Sequence, residues 1–110
     1  METPNGWMIL NEYDLMDINR ICKEVHAIAL KQGFWENKDI PTKLMLCVTE
    51  LGESCEAHRC NDNDGFREEL IDTLIRLLDL LGYLKVDVEK ELLKKHEENK
   101  KRPYKHNKAY

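Results

Sequence analysis

The chain has 110 residues, enough for one domain and a modest core, with only 7% aromatic residues and a net charge of −4. Residues 90–110 hold eight Lys/Arg against three Glu, a balance of +5, which leaves −9 on residues 1–89. That basic stretch is too short and too mixed in sign for duplex nucleic-acid binding, and no apolar run nears the ~18 residues of a membrane span.

Residues 1–11 read as an extended lead-in with Pro4 and Gly6, in which Trp7 and Ile9 are available to pack on the body. From about Glu12 to Lys31, Leu15, Ile18, Ile21, Cys22, Val25, Ile28 and Ala29 recur at helical spacing, and Gly33 ends this first amphipathic helix. The segment 32–40 is a loop with two adjacent aromatics. Phe34 and Trp35 offer flat faces either for stacking on a nucleobase or for packing against the body.

Pro41 suits the first turn of a second helix that runs to about Arg59. Residues 60–65 form a polar turn, a third helix follows to about Leu84, and a fourth runs from the N-cap Asp87 to about Lys100. Pro103 prevents its continuation. The expected fold is all-α, a single-domain four-helix bundle, with residues 101–110 a basic C-terminal tail.

Cys22, Cys47, Cys55 and Cys60 have no disulfide or zinc-motif spacing, so they read as reduced thiols of a cytoplasmic protein. Cys55, His58 and Cys60 lack a fourth zinc ligand at a motif spacing. The N-terminal residues lack a charged leader followed by an apolar run, so secretion is not expected. His26 and His58 read as structural histidines.

Two helices each carry acids three residues apart, Glu50 with Glu53 and Glu69 with Asp72. On a helical wheel Glu50 falls between Leu46 and Ala57, beside Cys47 and Ser54, while Thr49, Glu56 and Arg59 point away. An inward carboxylate must be neutralised, paired or coordinated. In the third helix, leucines and isoleucines from Leu70 to Leu81 form one arc, and Glu69, Asp72, Arg76 and Asp79 border it. Oxygen donors on facing helices suit Mg²⁺ or Mn²⁺, whereas solvated acids on charged helices are the ordinary alternative. A di-iron site is excluded because no Glu has His three residues later.

The runs KLMLCVTELGESCEAHR, FREELIDTLIRLLDLLGYLKVD and KKHEENKKRPYKH resemble the MazG-like nucleotide pyrophosphohydrolases of the all-α nucleoside triphosphate pyrophosphatase superfamily. The resemblance spans about Gly33 to His106. Its core is ExxE followed by ExxD, on Glu50, Glu53, Glu69 and Asp72, joined by a KxxxNKxRPYxH tail from Lys95 to His106. Thr49 stands where the family often has a further acid.

The resemblance implies that the four acids are catalytic and bind Mg²⁺, with Mn²⁺ an alternative, and that water splits a nucleoside triphosphate into monophosphate and pyrophosphate. It favours phosphate and sugar contacts from Lys95, Asn99 and Arg102; of the two loop aromatics, Trp35 is the expected base-binding residue. Arg76 and Asp79 are expected to support the metal site. A homodimer or homotetramer is expected, because the apolar arcs exceed what one small bundle covers. The alternatives are a non-catalytic helical interaction module, and phosphoribosyl-ATP hydrolysis within the same superfamily.

Overall fold

The computed structural model describes residues 16–110, so the lead-in 1–11 and the expected first turn of the first helix lie outside the described residues. The described chain is all-helical. It contains α1 (Ile18–Lys31), α2 (Ile40–Arg59), α3 (Asn63–Tyr83) and α4 (Val88–Lys100), then a short 3₁₀ turn at Tyr104–Asn107. No strand occurs among the described residues, and no helix there is long and apolar enough to cross a membrane.

Side-chain caps set where these helices start. Asp17 accepts a hydrogen bond from the Arg20 amide at 3.1 Å, and α1 begins after it at Ile18. Asp62 accepts from the Gly65 amide at 3.0 Å, which draws Asn63, Asp64 and Gly65 into α3, where a polar turn was expected. Asp87 caps α4 through the Lys90 amide, and Pro41 occupies the first turn of α2, both as expected.

The first three helices end the same way. The residue after each C-cap, Gly33, Asn61 and Lys85, has φ of 84°, 57° and 56°, and its N–H returns to a carbonyl three residues back. The next amide reaches back five residues, from Phe34 to Ala29, Asp62 to Ala57 and Val86 to Leu81. Gly33 and Asn61 tolerate this left-handed geometry, whereas Lys85 is strained there. Because Asp62 both closes α2 and caps α3, these two helices turn back on each other in the fewest residues.

α3 packs against both α1 and α2. One core cluster joins Cys22, Leu78 and Val88 with Ile18, Ile21, Leu81 and Val86, and a second joins Ala29, Trp35 and Leu80 with Ile40. α1 and α3 approach so closely at Gly82 that a Cβ there would stand 2.5 Å from the Cys22 carbonyl oxygen. α4 meets α1 through its first turn. There Asn19 accepts from the Val88 and Glu89 amides at 2.8 and 3.2 Å and donates to Asp87 at 3.0 Å. Beyond Val88 every α4 residue is exposed, with Leu92 and Leu93 at 56% and 57%. Leu44, Met45, Val48 and Leu51 on α2, and Leu70, Ile71, Leu74 and Leu77 on α3, also lie open to solvent.

Candidate metal centre and cleft

Antiparallel pairing of α2 and α3 brings the two acid motifs together. One carboxylate oxygen from each of Glu50, Glu69 and Asp72 lies within 4.8 Å of the others, and they form the only such cluster of His, Cys, Asp or Glu among the described residues. Glu50 looks inward as its helical position requires and is only 9% exposed. Glu53 is exposed and is not part of that trio, although its charge adds to the upward shift of Glu69.

Arg76 neutralises the buried acid. Its Nε donates to Glu50 Oε1 at 2.8 Å, an ion pair that crosses from α3 to α2. This hydrogen bond holds Glu50 below the usual carboxylate range, against the opposing effect of burial. Glu69 moves the other way, to about 7, first because it shares a hydrogen bond with Glu50, then through burial and the neighbouring charges of Glu53 and Asp72. Its Oε2 is buried without a hydrogen-bond partner among the described residues. A proton on Glu69 satisfies the cluster in one way, and a hard cation on an all-oxygen donor set of this kind satisfies it in another.

Beside the trio opens a cleft of about 480 Å³ between α1 and α3. Glu50, Asp72, Arg76 and Asp79 supply its charged wall, Val25, Ile28 and Ile75 its apolar wall, and Phe34 lines it as its aromatic residue. The guanidinium carbon of Arg76 is 5.8 Å from the Phe34 ring centre.

The loop 32–40 treats its two aromatics in opposite ways, which corrects the assignment of Trp35 as a base-binding residue. Trp35 is 4% exposed, with its ring stacked on Tyr83 at 4.2 Å and against the edge of His26 at 5.1 Å. Its Nε1 donates to both oxygens of Asp79 at 2.9 and 3.0 Å, and the Lys43 ammonium lies 4.6 Å from the ring centre. Lys43 also donates to the Phe34 carbonyl. Phe34, held between the Gly33 turn and this anchored indole, is 49% exposed and offers the free face.

Asp79 lines the cleft, and its oxygens are engaged by Trp35 and by His26 Nδ1 at 2.8 Å, so its contacts secure the loop. His26 is thereby structural, and His58 packs against Phe66 at 5.3 Å. All four cysteines are free thiols; burial pushes Cys22 and Cys47 upward, and a hydrogen bond with Glu56 does the same to Cys60, so none of these three is an activated nucleophile.

The basic tail does not reach this cleft within one chain. Lys95 and Asn99 lie on the exposed face of α4, where Lys95 pairs with Glu98 at 3.7 Å. Arg102 lines a separate recess with Pro103, His106 and Lys108, its Nη1 3.3 Å from His106 Nδ1. Sequence periodicity had no means of finding His26, Lys43 or Tyr83 as loop anchors, because their partners come from distant elements. No family model, curated protein or solved structure matches the chain.

Proposed function

We propose that the chain is a divalent-metal-dependent nucleotide pyrophosphohydrolase that converts a (deoxy)nucleoside triphosphate and water to the monophosphate and pyrophosphate. The observation that carries this reading is the convergence of Glu50, Glu69 and Asp72 within 4.8 Å, with a buried unpartnered oxygen on Glu69, at the wall of an aromatic-lined cleft. The resemblance of both acid motifs and of the tail to MazG-like enzymes names the reaction.

Mg²⁺ or Mn²⁺, held by Glu50, Glu69 and Asp72, would neutralise phosphate charge and lower the pKa of a bound water. Glu53, exposed one helical turn after Glu50, serves as an acceptor for the proton of the attacking water as the α–β P–O bond breaks. Phe34 stacks on the base, and the apolar wall shields the base from water.

The working unit in this reading is a homodimer or homotetramer. A second copy covers the exposed apolar stripes of α2 and α3, completes the bundle that α4 leaves open, and brings a basic tail to the acid cleft. The free cysteines fit a reducing cytoplasm.

A panel of canonical and modified nucleoside triphosphates with Mg²⁺, products separated by ion exchange, tests the activity. Monophosphate and pyrophosphate are the expected products, and release of orthophosphate alone would exclude the α–β cleavage. One observation favours a non-catalytic helical interaction module: Arg76 already neutralises Glu50, the one acid buried among the described residues, without a metal. Mn²⁺ titration in the presence of a non-hydrolysable triphosphate separates the two, since the module binds neither.

A further inference from the structure

We propose that Arg76 is a direct phosphate-binding residue of the cleft, in addition to being the partner of Glu50. This inference rests on the metal-dependent reading of the acid trio. Among the described residues that line the cleft, Glu50, Asp72 and Asp79 are acidic and Arg76 is the single cation. A triphosphate entering so acidic a space meets repulsion that bound metal offsets only in part, and Lys95, Asn99 and Arg102 lie outside the cleft in the same chain.

The geometry of Arg76 suits the task. Its hydrogen bond to the described residues runs through Nε alone, to Glu50 Oε1, leaving both terminal amino groups for an incoming acceptor. The pair is only part-buried, with the arginine side chain 30% exposed, so those groups are accessible. Held at one edge by Glu50 and placed beside Phe34, the guanidinium presents a planar fork next to the metal ligands, and two phosphate oxygens fit such a fork better than they fit an ammonium. Charge balance adds a coupling. Until a metal shares the charge of Glu50, much of the Arg76 charge is spent on that carboxylate; once it does, Arg76 has charge to give to phosphate.

The test uses Arg76→Gln and Arg76→Lys in the full chain, with calorimetric binding of Mn²⁺ alone, then of the four α,β-imido deoxynucleoside triphosphates at saturating Mn²⁺, then of the matching nucleosides. Arg76→Gln should weaken the best-bound triphosphate at least tenfold and leave its nucleoside within about twofold, with Arg76→Lys in between. Circular dichroism confirms that each variant is folded. Wild-type affinity of both variants for the triphosphate would overturn the phosphate contact while leaving the metal reading intact, as would equal losses for nucleoside and triphosphate. Failure of wild-type protein to bind Mn²⁺ would remove both.

Discussion

Glu50 and Arg76 are joined at 2.8 Å between α2 and α3, and the same Glu50 lies within 4.8 Å of the donor oxygens of Glu69 and Asp72. One buried carboxylate thus serves both the ion pair that crosses the helix interface and the donor set proposed for a metal. Glu50→Gln keeps the shape and an acceptor for Arg76 but removes the charge. The expected cost is about 1–2 kcal/mol of stability, the scale of a charge-assisted hydrogen bond weakened to a neutral one. Urea unfolding in EDTA measures it, and Mn²⁺ should stabilise the wild type while leaving this variant almost unchanged.

Replacing Glu53 by Gln or Asp72 by Asn should separate the role of Glu53 from that of the trio. Asp72→Asn removes a donor of the cluster and should reduce both Mn²⁺ affinity and turnover, the latter by several orders of magnitude if metal catalysis is lost, as much as ~10⁴-fold. Glu53→Gln should lower turnover by about 10²–10⁴-fold, the scale of one general base, with Mn²⁺ affinity changed less. Near wild-type turnover by both variants at saturating Mg²⁺ would refute the assignment.

Stability should depend on pH in two opposite ways. Glu69 is raised to about 7 from 4.5, so between those values the native state holds a proton that the unfolded chain has lost. Metal-free stability therefore falls as pH rises through that window. Glu50 and Asp87 are lowered, by Arg76 and by Asn19, so their contributions are present above their unfolded values and are lost as pH falls below them. Urea midpoints in EDTA at fixed protein concentration should decline from pH 5 to 7.5. Glu69→Gln should flatten that decline, and so should Mn²⁺, which takes the place of the proton.

The helices were legible because capping acids, Gly33, Pro41 and Pro103 punctuate strong helical periodicity, and the inward position of Glu50 followed from its wheel neighbours. Its partner was harder to read. Arg76 at i+4 from Asp72 suggests an intrahelical bridge, and only the α2–α3 packing places it on Glu50. Phe34 and Trp35 are adjacent and chemically alike, so composition offered no means of deciding which is buried. The decision belongs to Asp79, Tyr83 and Lys43, which engage the indole from other elements. Nor does periodicity show that α4 leaves the body after one turn, since Leu92 and Leu93 read as a core stripe whether or not anything covers them.

The loop anchor makes its own prediction. Asp79→Ala removes the acceptor for the Trp35 indole and for His26, leaving two donors in part-buried surroundings, a loss of about 1–3 kcal/mol. In a Trp7→Phe background, Trp35 emission should shift to longer wavelength as the indole gains water. Nucleotide affinity should weaken as well, because Phe34 depends on its neighbour for position. Unchanged emission would show that Tyr83 stacking alone holds the loop.

The last prediction concerns the exposed fourth helix. Lys95, Asn99 and Arg102 lie outside the acid cleft of their own chain, while apolar stripes on α2, α3 and α4 remain uncovered. If a second copy covers those stripes, the tail of each chain is free to serve the cleft of the other. Light scattering after size exclusion should then give at least twice 13.0 kDa at micromolar concentration. Lys95→Ala and Arg102→Ala should each raise KM with little effect on Mn²⁺ affinity, because their charge belongs to the phosphate side. Complementation decides between cis and trans. Asp72→Asn and the double variant Lys95→Ala/Arg102→Ala, each weak alone, are unfolded together and refolded; shared sites should recover about a quarter of wild-type activity, since half of randomly paired dimers carry one intact site of two. No recovery, despite mixed dimers seen by mass spectrometry, would place the tail on its own cleft.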